Sequence, residues 1–144
     1  MEENKFFKLK IKYLKQDTEG NIKKASEEFV LPAVSWTEAE ARLIIYLRDE
    51  LPEYNTVKCE PFNITDCIKD DSKELFFKTK VVYQDINEDN GKSIRIVDNY
   101  LVQADNTKEV NDKMKARLEG SVMDYEIENI SKTKISQVFY EVQK

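Results

Sequence analysis

Three lysines alternate along one short stretch, Lys8, Lys10 and Lys12, directly after Phe6. A similar arrangement returns seventy residues on, with Lys78 and Lys80 after Phe76. Alternate side chains of an extended chain share a face, so each stretch lays cations in a row headed by an aromatic ring. Such a row suits single-stranded nucleic acid, whose backbone follows the charge while its bases stack on the ring. It equally suits a solvated outer face, where lysines keep a sheet from pairing with another chain. Trp36 is the only tryptophan. It either staples the start of a helix or anchors a partner unique to this part of the chain. The candidate ligand-binding residues are therefore Phe6, Lys8, Lys10, Lys12, Phe76, Lys78, Lys80 and Trp36.

Other chemistries lack their groups. There is no histidine, which removes the commonest general base and the commonest zinc ligand. Cys59 and Cys67 have neither C-x-x-C spacing nor a histidine to activate them, and read as two free thiols. Gly20, Gly91 and Gly120 are the only glycines, too few and too scattered for a phosphate-binding loop. Among the carboxylates, Asp70-Asp71 reads as a solvated joint, and Glu38 and Glu40 as first-turn helix residues favoured by the macrodipole. Asp85, Asn87 and Asp89 have the look of a calcium loop without its later Glu or its flanking helices, and read as a hairpin turn. No metal, no cofactor and no enzymatic activity is expected.

Behind these residues stand 144 positions, 40% hydrophobic and 35% charged, with a net charge of −5. That length predicts one domain, large enough to fold without a disulfide or a metal. The mixture excludes collagen and low-complexity disorder, and the acidic balance argues against non-specific binding to duplex DNA. Met1-Glu2-Glu3-Asn4-Lys5 is polar, and no apolar signal segment follows it. No run reaches the roughly 18 apolar residues of a membrane span. The expected location is the cytoplasm, with no membrane partner, which leaves the sequon Asn63-Ile64-Thr65 without meaning.

The elements that must hold the lysines emerge from an internal repeat. Phe6-Phe7-Lys8-Leu9-Lys10-Ile11-Lys12-Tyr13 returns as Phe76-Phe77-Lys78-Thr79-Lys80-Val81-Val82-Tyr83. After Gly20 and Gly91 the match continues seventy-one residues apart, with Ala33 and Ala104, Glu38 and Glu109, Arg42 and Lys113, Leu47 and Leu118, and Tyr54 and Tyr125. The chain thus reads as a single domain, 1–144, of two repeats, 5–68 and 75–140, joined by a polar linker, 69–74.

Within each repeat the order is β-β-α-β. Phe7, Leu9, Ile11 and Tyr13 alternate with the lysines, which is the pattern of a half-buried strand. Turns rich in Asp, Asn and Gly follow at 17–21 and 87–91, with return strands around 28–31 and 94–102. Ser35-Trp36-Thr37-Glu38 is a capping box, and Asn106-Thr107-Lys108-Glu109 keeps its chemistry. Ala39, Leu43 and Leu47 stripe the first helix, and Val110, Met114 and Leu118 the second. Extended segments at 56–60, 63–68, 125–130 and 135–139 close the repeats. The expected fold is α+β, a mostly antiparallel sheet with two helices packed on it, pseudo-twofold symmetric.

The stretch Ser35-x-Thr37-Glu38-Ala39-Glu40-Ala41-Arg42, the pattern Phe7-x-x-Lys10 before Tyr13, and the ending Met123-x-Tyr125-x-Ile127-x-x-Ile130-Ser131-x-Thr133-x-Ile135-x-x-Val138-Phe139 are similar to a family catalogued as a domain of unknown function. The resemblance covers roughly 5–140, and its members occur in Bacteroides-type bacteria and their phages. This chain departs from it in having Phe6-Phe7 where a Trp-Phe pair is expected, and in a more diverged second helix. The resemblance implies a phage or mobile-element setting and brings no catalytic residue.

These readings converge on a non-enzymatic binding protein whose partner is single-stranded nucleic acid. The alternatives are an acidic accessory protein that binds and modulates a host or phage protein, and a virion or assembly component. The sequence leaves the oligomeric state open.

Overall fold

A computed structural model describes residues 5–139 of the chain. In order, its first half holds β1 (Lys5–Gln16), β2 (Ile22–Ala33), α1 (Trp36–Leu47), β3 (Asn55–Pro61) and β4 (Asp66–Ile68). Its second half holds β5 (Leu75–Ile86), β6 (Ser93–Ala104), α2 (Thr107–Arg117), β7 (Asp124–Lys132) and β8 (Ile135–Val138). The fold is α+β, with two helices and two four-stranded, mostly antiparallel sheets. Two compact units divide the chain, the second being Ile64–Thr133.

In unit 1 the strand order is β3-β1-β2-β8. β1 and β2 pair antiparallel over their whole length, from Lys5↔Ala33 to Gln16↔Ile22. The turn between them is held by Asp17, whose Oδ1 accepts from the amides of Glu19 and Asn21, each at 2.9 Å. Gly20 there has φ +86°, a conformation that costs a side chain strain. Because the register runs to the tip, β2 starts at Ile22, well before the expected 28. Alternation then puts Phe7, Leu9 and Ile11 on one face, where Ala39, Leu43 and Leu47 of α1 cover them.

Unit 2 orders its strands β4-β6-β5-β7. Phe77, Val81 and Tyr83 of β5 face Val110, Met114 and Leu118. Thr79 shares that face, since it lies opposite Tyr100 and Ile130. It is 0% exposed and its hydroxyl has no partner among the described residues. An unpartnered buried hydroxyl is destabilising. Thr79→Val, which keeps the shape, should therefore raise unfolding stability by about 1–2 kcal/mol. Urea denaturation reads this directly, and a lower midpoint would contradict it.

Both helices start as their caps predict. Ser35 Oγ accepts from the Glu38 amide at 3.2 Å, and Asn106 Oδ1 from the Glu109 amide at 2.9 Å. Glu38 does not return the bond to the cap residue. It accepts from the Val34 amide at 3.4 Å and pairs with Arg42 at 2.8 Å. Arg42 in turn donates to the Pro32 carbonyl at 2.9 Å. Unit 2 repeats the clamp, with Lys113 donating to the Gln103 carbonyl at 2.8 Å and pairing with Glu109 at 3.1 Å.

The unit boundaries do not follow the expected repeat boundaries at 68 and 75. β4, which ends the first repeat, pairs parallel with β6 in unit 2. β8, which ends the second, pairs parallel with β2 in unit 1. The reason is geometric. β3 and β2 both run antiparallel to β1, so a strand parallel to β2 in that sheet would also be parallel to β3. Parallel strands joined within one sheet need a crossover of about a dozen residues, and only 62–65 separate β3 from β4.

Asp70 is not merely solvated. It accepts from the Lys113 ammonium at 2.8 Å and from the Ser72 amide at 3.1 Å, and these donors, Lys113 foremost, hold its carboxyl well below the usual carboxylate range. A carboxyl depressed in the folded state contributes stability that is complete above its unfolded value, about 3.9, and that fades as pH falls through the folded one. Stability should therefore drop from about pH 4 downward, and Asp70→Asn should show a smaller drop over the same range. Thermal melts between neutral and acid pH measure this; an unchanged acid slope would contradict it.

Candidate nucleic-acid interface

Register decides which side chains accompany the lysines. Lys8, Lys10, Lys12 and Leu14 lie opposite Val30, Glu28, Ser26 and Lys24 of β2. On β3, Glu60 is opposite Lys8 and Lys58 opposite Lys10. Directly opposed residues project from the same face, and α1 occupies the other one. The outer face of β1, β2 and β3 thus presents five lysines, at 8, 10, 12, 24 and 58, against two carboxylates, Glu28 and Glu60. In a chain of net charge −5, that is a local excess of positive charge.

The two carboxylates are spent on two of the lysines. Lys8 sits 3.5 Å from Glu28 and 3.6 Å from Glu60, and Lys58 sits 3.3 Å from Glu60. Lys10, Lys12 and Lys24 make no ion pair among the described residues. With Glu28 and Glu60, Lys8, Lys10 and Lys58 line a cleft of about 140 Å³. At the head of the row the Lys8 ammonium lies 5.5 Å from the centre of the Phe62 ring, and the Phe62 amide donates to the Phe6 carbonyl at 2.7 Å. Phe6 itself is half-buried. Unit 1 therefore keeps Phe6, Lys8, Lys10 and Lys12 together as expected, and adds Lys24, Lys58 and Phe62.

The second row does not form an equivalent surface. Phe76 is 1% exposed, so the expected aromatic platform there is corrected to a buried residue that no base can reach. Lys78 is half-buried as Lys8 is, each opposite a residue that is 0% exposed, Leu101 and Val30. Lys80 pairs with Glu128 at 3.1 Å, and Arg95 reaches the same carboxylate at 3.0 Å. Lys80 and Arg95 hold the Glu128 carboxyl below its ordinary range. Glu128 sits where the β5–β7 register shifts, which is how a residue outside the regular pairing meets both cations. Trp36, 60% exposed, opens α1. It is thereby placed across the sheet from the lysines and leaves their site.

The thiols do not supply a nucleophile. Burial pushes the Cys67 thiol up to about 12 and, with Glu40 nearby, raises Cys59 as well, so neither is a thiolate at neutral pH. Among the described residues no three His, Cys, Asp or Glu side chains gather to hold a metal. No helix of the described residues is long and apolar enough to cross a membrane.

Lys24 and Lys58 were missed because pairing, not spacing, brings them to the face. A hairpin centred on 19 pairs residues whose numbers sum to thirty-eight, so the turn at 17–21 already contained the signal for Lys24 opposite Leu14. No such local signal marks Lys58.

A family model described as "Domain of unknown function (DUF4494)" matches residues 5–141. No curated protein and no solved structure matches the chain.

Proposed function

The chain belongs to that family, and we propose that it is a non-catalytic binding protein that holds single-stranded nucleic acid on the outer face of β1, β2 and β3, in the cytoplasm of a host that carries the phage or mobile element encoding it. The observation that supports this reading is the trio Lys10, Lys12 and Lys24, exposed and without ion pairs on one sheet face of an acidic chain. Three phosphates can replace the carboxylates these lysines lack, and the half-buried Phe6 and Phe62 stand at the end of the row. Duplex DNA fits less well, because nothing in the face projects a helix or ribbon into a groove.

Fluorescence anisotropy of labelled single-stranded DNA and RNA, titrated with the protein at several salt concentrations, tests the reading. Each phosphate contact on a single strand contributes about −0.7 to the slope of log K against log salt, so three contacts predict a slope of about −2. No binding at low salt would retire the proposal and leave a host or phage protein as the partner to seek.

A further inference from the structure

α1 carries two apolar faces, and its own sheet uses only one. Ala39, Leu43 and Leu47 bury against β1 and β2. On the outside, Trp36 is 60%, Ile44 59% and Ile45 60% exposed. α2 shows that packing does not require this. It covers its sheet with Val110, Met114 and Leu118, and the residues seventy-one positions on from Trp36, Ile44 and Ile45 are Thr107, Lys115 and Ala116. Trp36 and Ile44, which share a side of α1, are therefore surplus to the fold, and exposed apolar residues that share a side mark an interaction surface.

The charges on that face say what covers it. Trp36, Glu40, Ile44 and Arg48 follow one another at intervals of four, hence on one side of the helix. Glu40, Ile44 and Arg48 also line a common groove of about 410 Å³, closed by Leu51, Pro52 and Tyr54. Glu40 and Arg48 lie four residues either side of Ile44, and neither makes an ion pair among the described residues. A twofold axis beside Ile44 lays two such helices antiparallel. It sets Glu40 of each against Arg48 of the other, Ile44 against Ile44, and Trp36 against the groove at Pro52. A groove of that volume is large enough to enclose an indole. The surface is complementary to itself, which is the requirement of a twofold interface.

We infer that the outer face of α1 is the interface between two copies of this chain, paired antiparallel, with Trp36 of each seated in the groove beside Leu51 and Pro52 of the other. The inference is independent of the lysine face, which lies across the sheet.

Sedimentation of the full chain tests it, with a dimer of twice the 17.0 kDa chain mass expected. Trp36→Thr, which installs the residue α2 carries, should give monomer. So should Glu40→Arg alone, which opposes Arg to Arg, and Arg48→Glu alone, which opposes Glu to Glu. Mixing those two variants should restore a dimer, because every pair across the axis then joins Arg to Glu. A wild-type chain that stays monomeric at its highest soluble concentration overturns the inference. So does a dimer that survives the single reversals, or a mixture that stays monomeric. A photo-crosslinker at the exposed Ala41, three residues from Ile44 and seven from Arg48, used in cells, should give the doubled mass; an adduct of any other mass, with protein or nucleic acid, assigns the face to that occupant and overturns the inference equally.

Discussion

Replacing Lys10 and Lys12 together with Glu should weaken single-stranded oligonucleotide binding at 0.1 M salt by at least ~25-fold. Each phosphate contact contributes about 0.7 of a decade in affinity at that salt, through release of counterions. Loss of two contacts accounts for the factor before the repulsion of two new carboxylates is counted. The fold should survive, since both side chains are exposed and take no part in the α1-facing core. The control is Lys80→Glu. Lys80 is already committed to Glu128 at 3.1 Å, and its row is headed by the buried Phe76. This variant should therefore bind like the wild type, as judged by the same anisotropy titration. Equal losses from both variants would mean that charge in general, not this face, governs binding.

Val138→Asp should damage unit 1, although Val138 lies at the end of the second sequence repeat. It is 0% exposed and pairs with Val30 of β2. A carboxylate there has no counter-charge in that pairing, and a buried unpaired charge costs at least ~3 kcal/mol, a large share of a typical domain's stability. β8 should detach, and with it the bond from the Phe139 amide to the Val30 carbonyl, 2.8 Å, and the stack of Phe139 on Tyr46, 4.4 Å between ring centres. Hydrogen exchange should show protection falling first along β2 and β8. Protection falling first along β5 and β6 instead would contradict the strand exchange described above.

The sequence carried the parts of this architecture that are encoded locally. Alternation from Phe7 to Tyr13, glycine at the hairpin tip and Ser35 or Asn106 at a helix start each act within a few residues, and each element formed where those signals lie. The exchange of β4 and β8 was not legible. Asp66-Cys67-Ile68 and Ile135–Val138 are too short to alternate convincingly, and their partners lie thirty or more residues away.

The candidate site divides the same way. Lys8, Lys10 and Lys12 could be placed on one face from spacing alone, and they are there. Phe76 could not be placed by analogy with Phe6, because burial depends on neighbours that the repeat does not conserve. Val82 stands where the first copy has Lys12, and Gln103 lies opposite Phe76 where Pro32 lies opposite Phe6. The change from Lys12 to Val82 was the visible hint that the second row is no open basic face. Glu128 was beyond reach, since it meets Lys80 only through a register shift that no local pattern announces.

The most direct test of a nucleic-acid face is to watch the protein's own amides while an unlabelled single-stranded oligonucleotide is added at low salt. The account predicts chemical-shift changes concentrated at Lys10, Lys12, Lys24 and Lys58, with smaller ones at Phe6 and Phe62, and α1 unmoved. Shifts confined to α1 or to the second unit, or none at all at low salt, would contradict it.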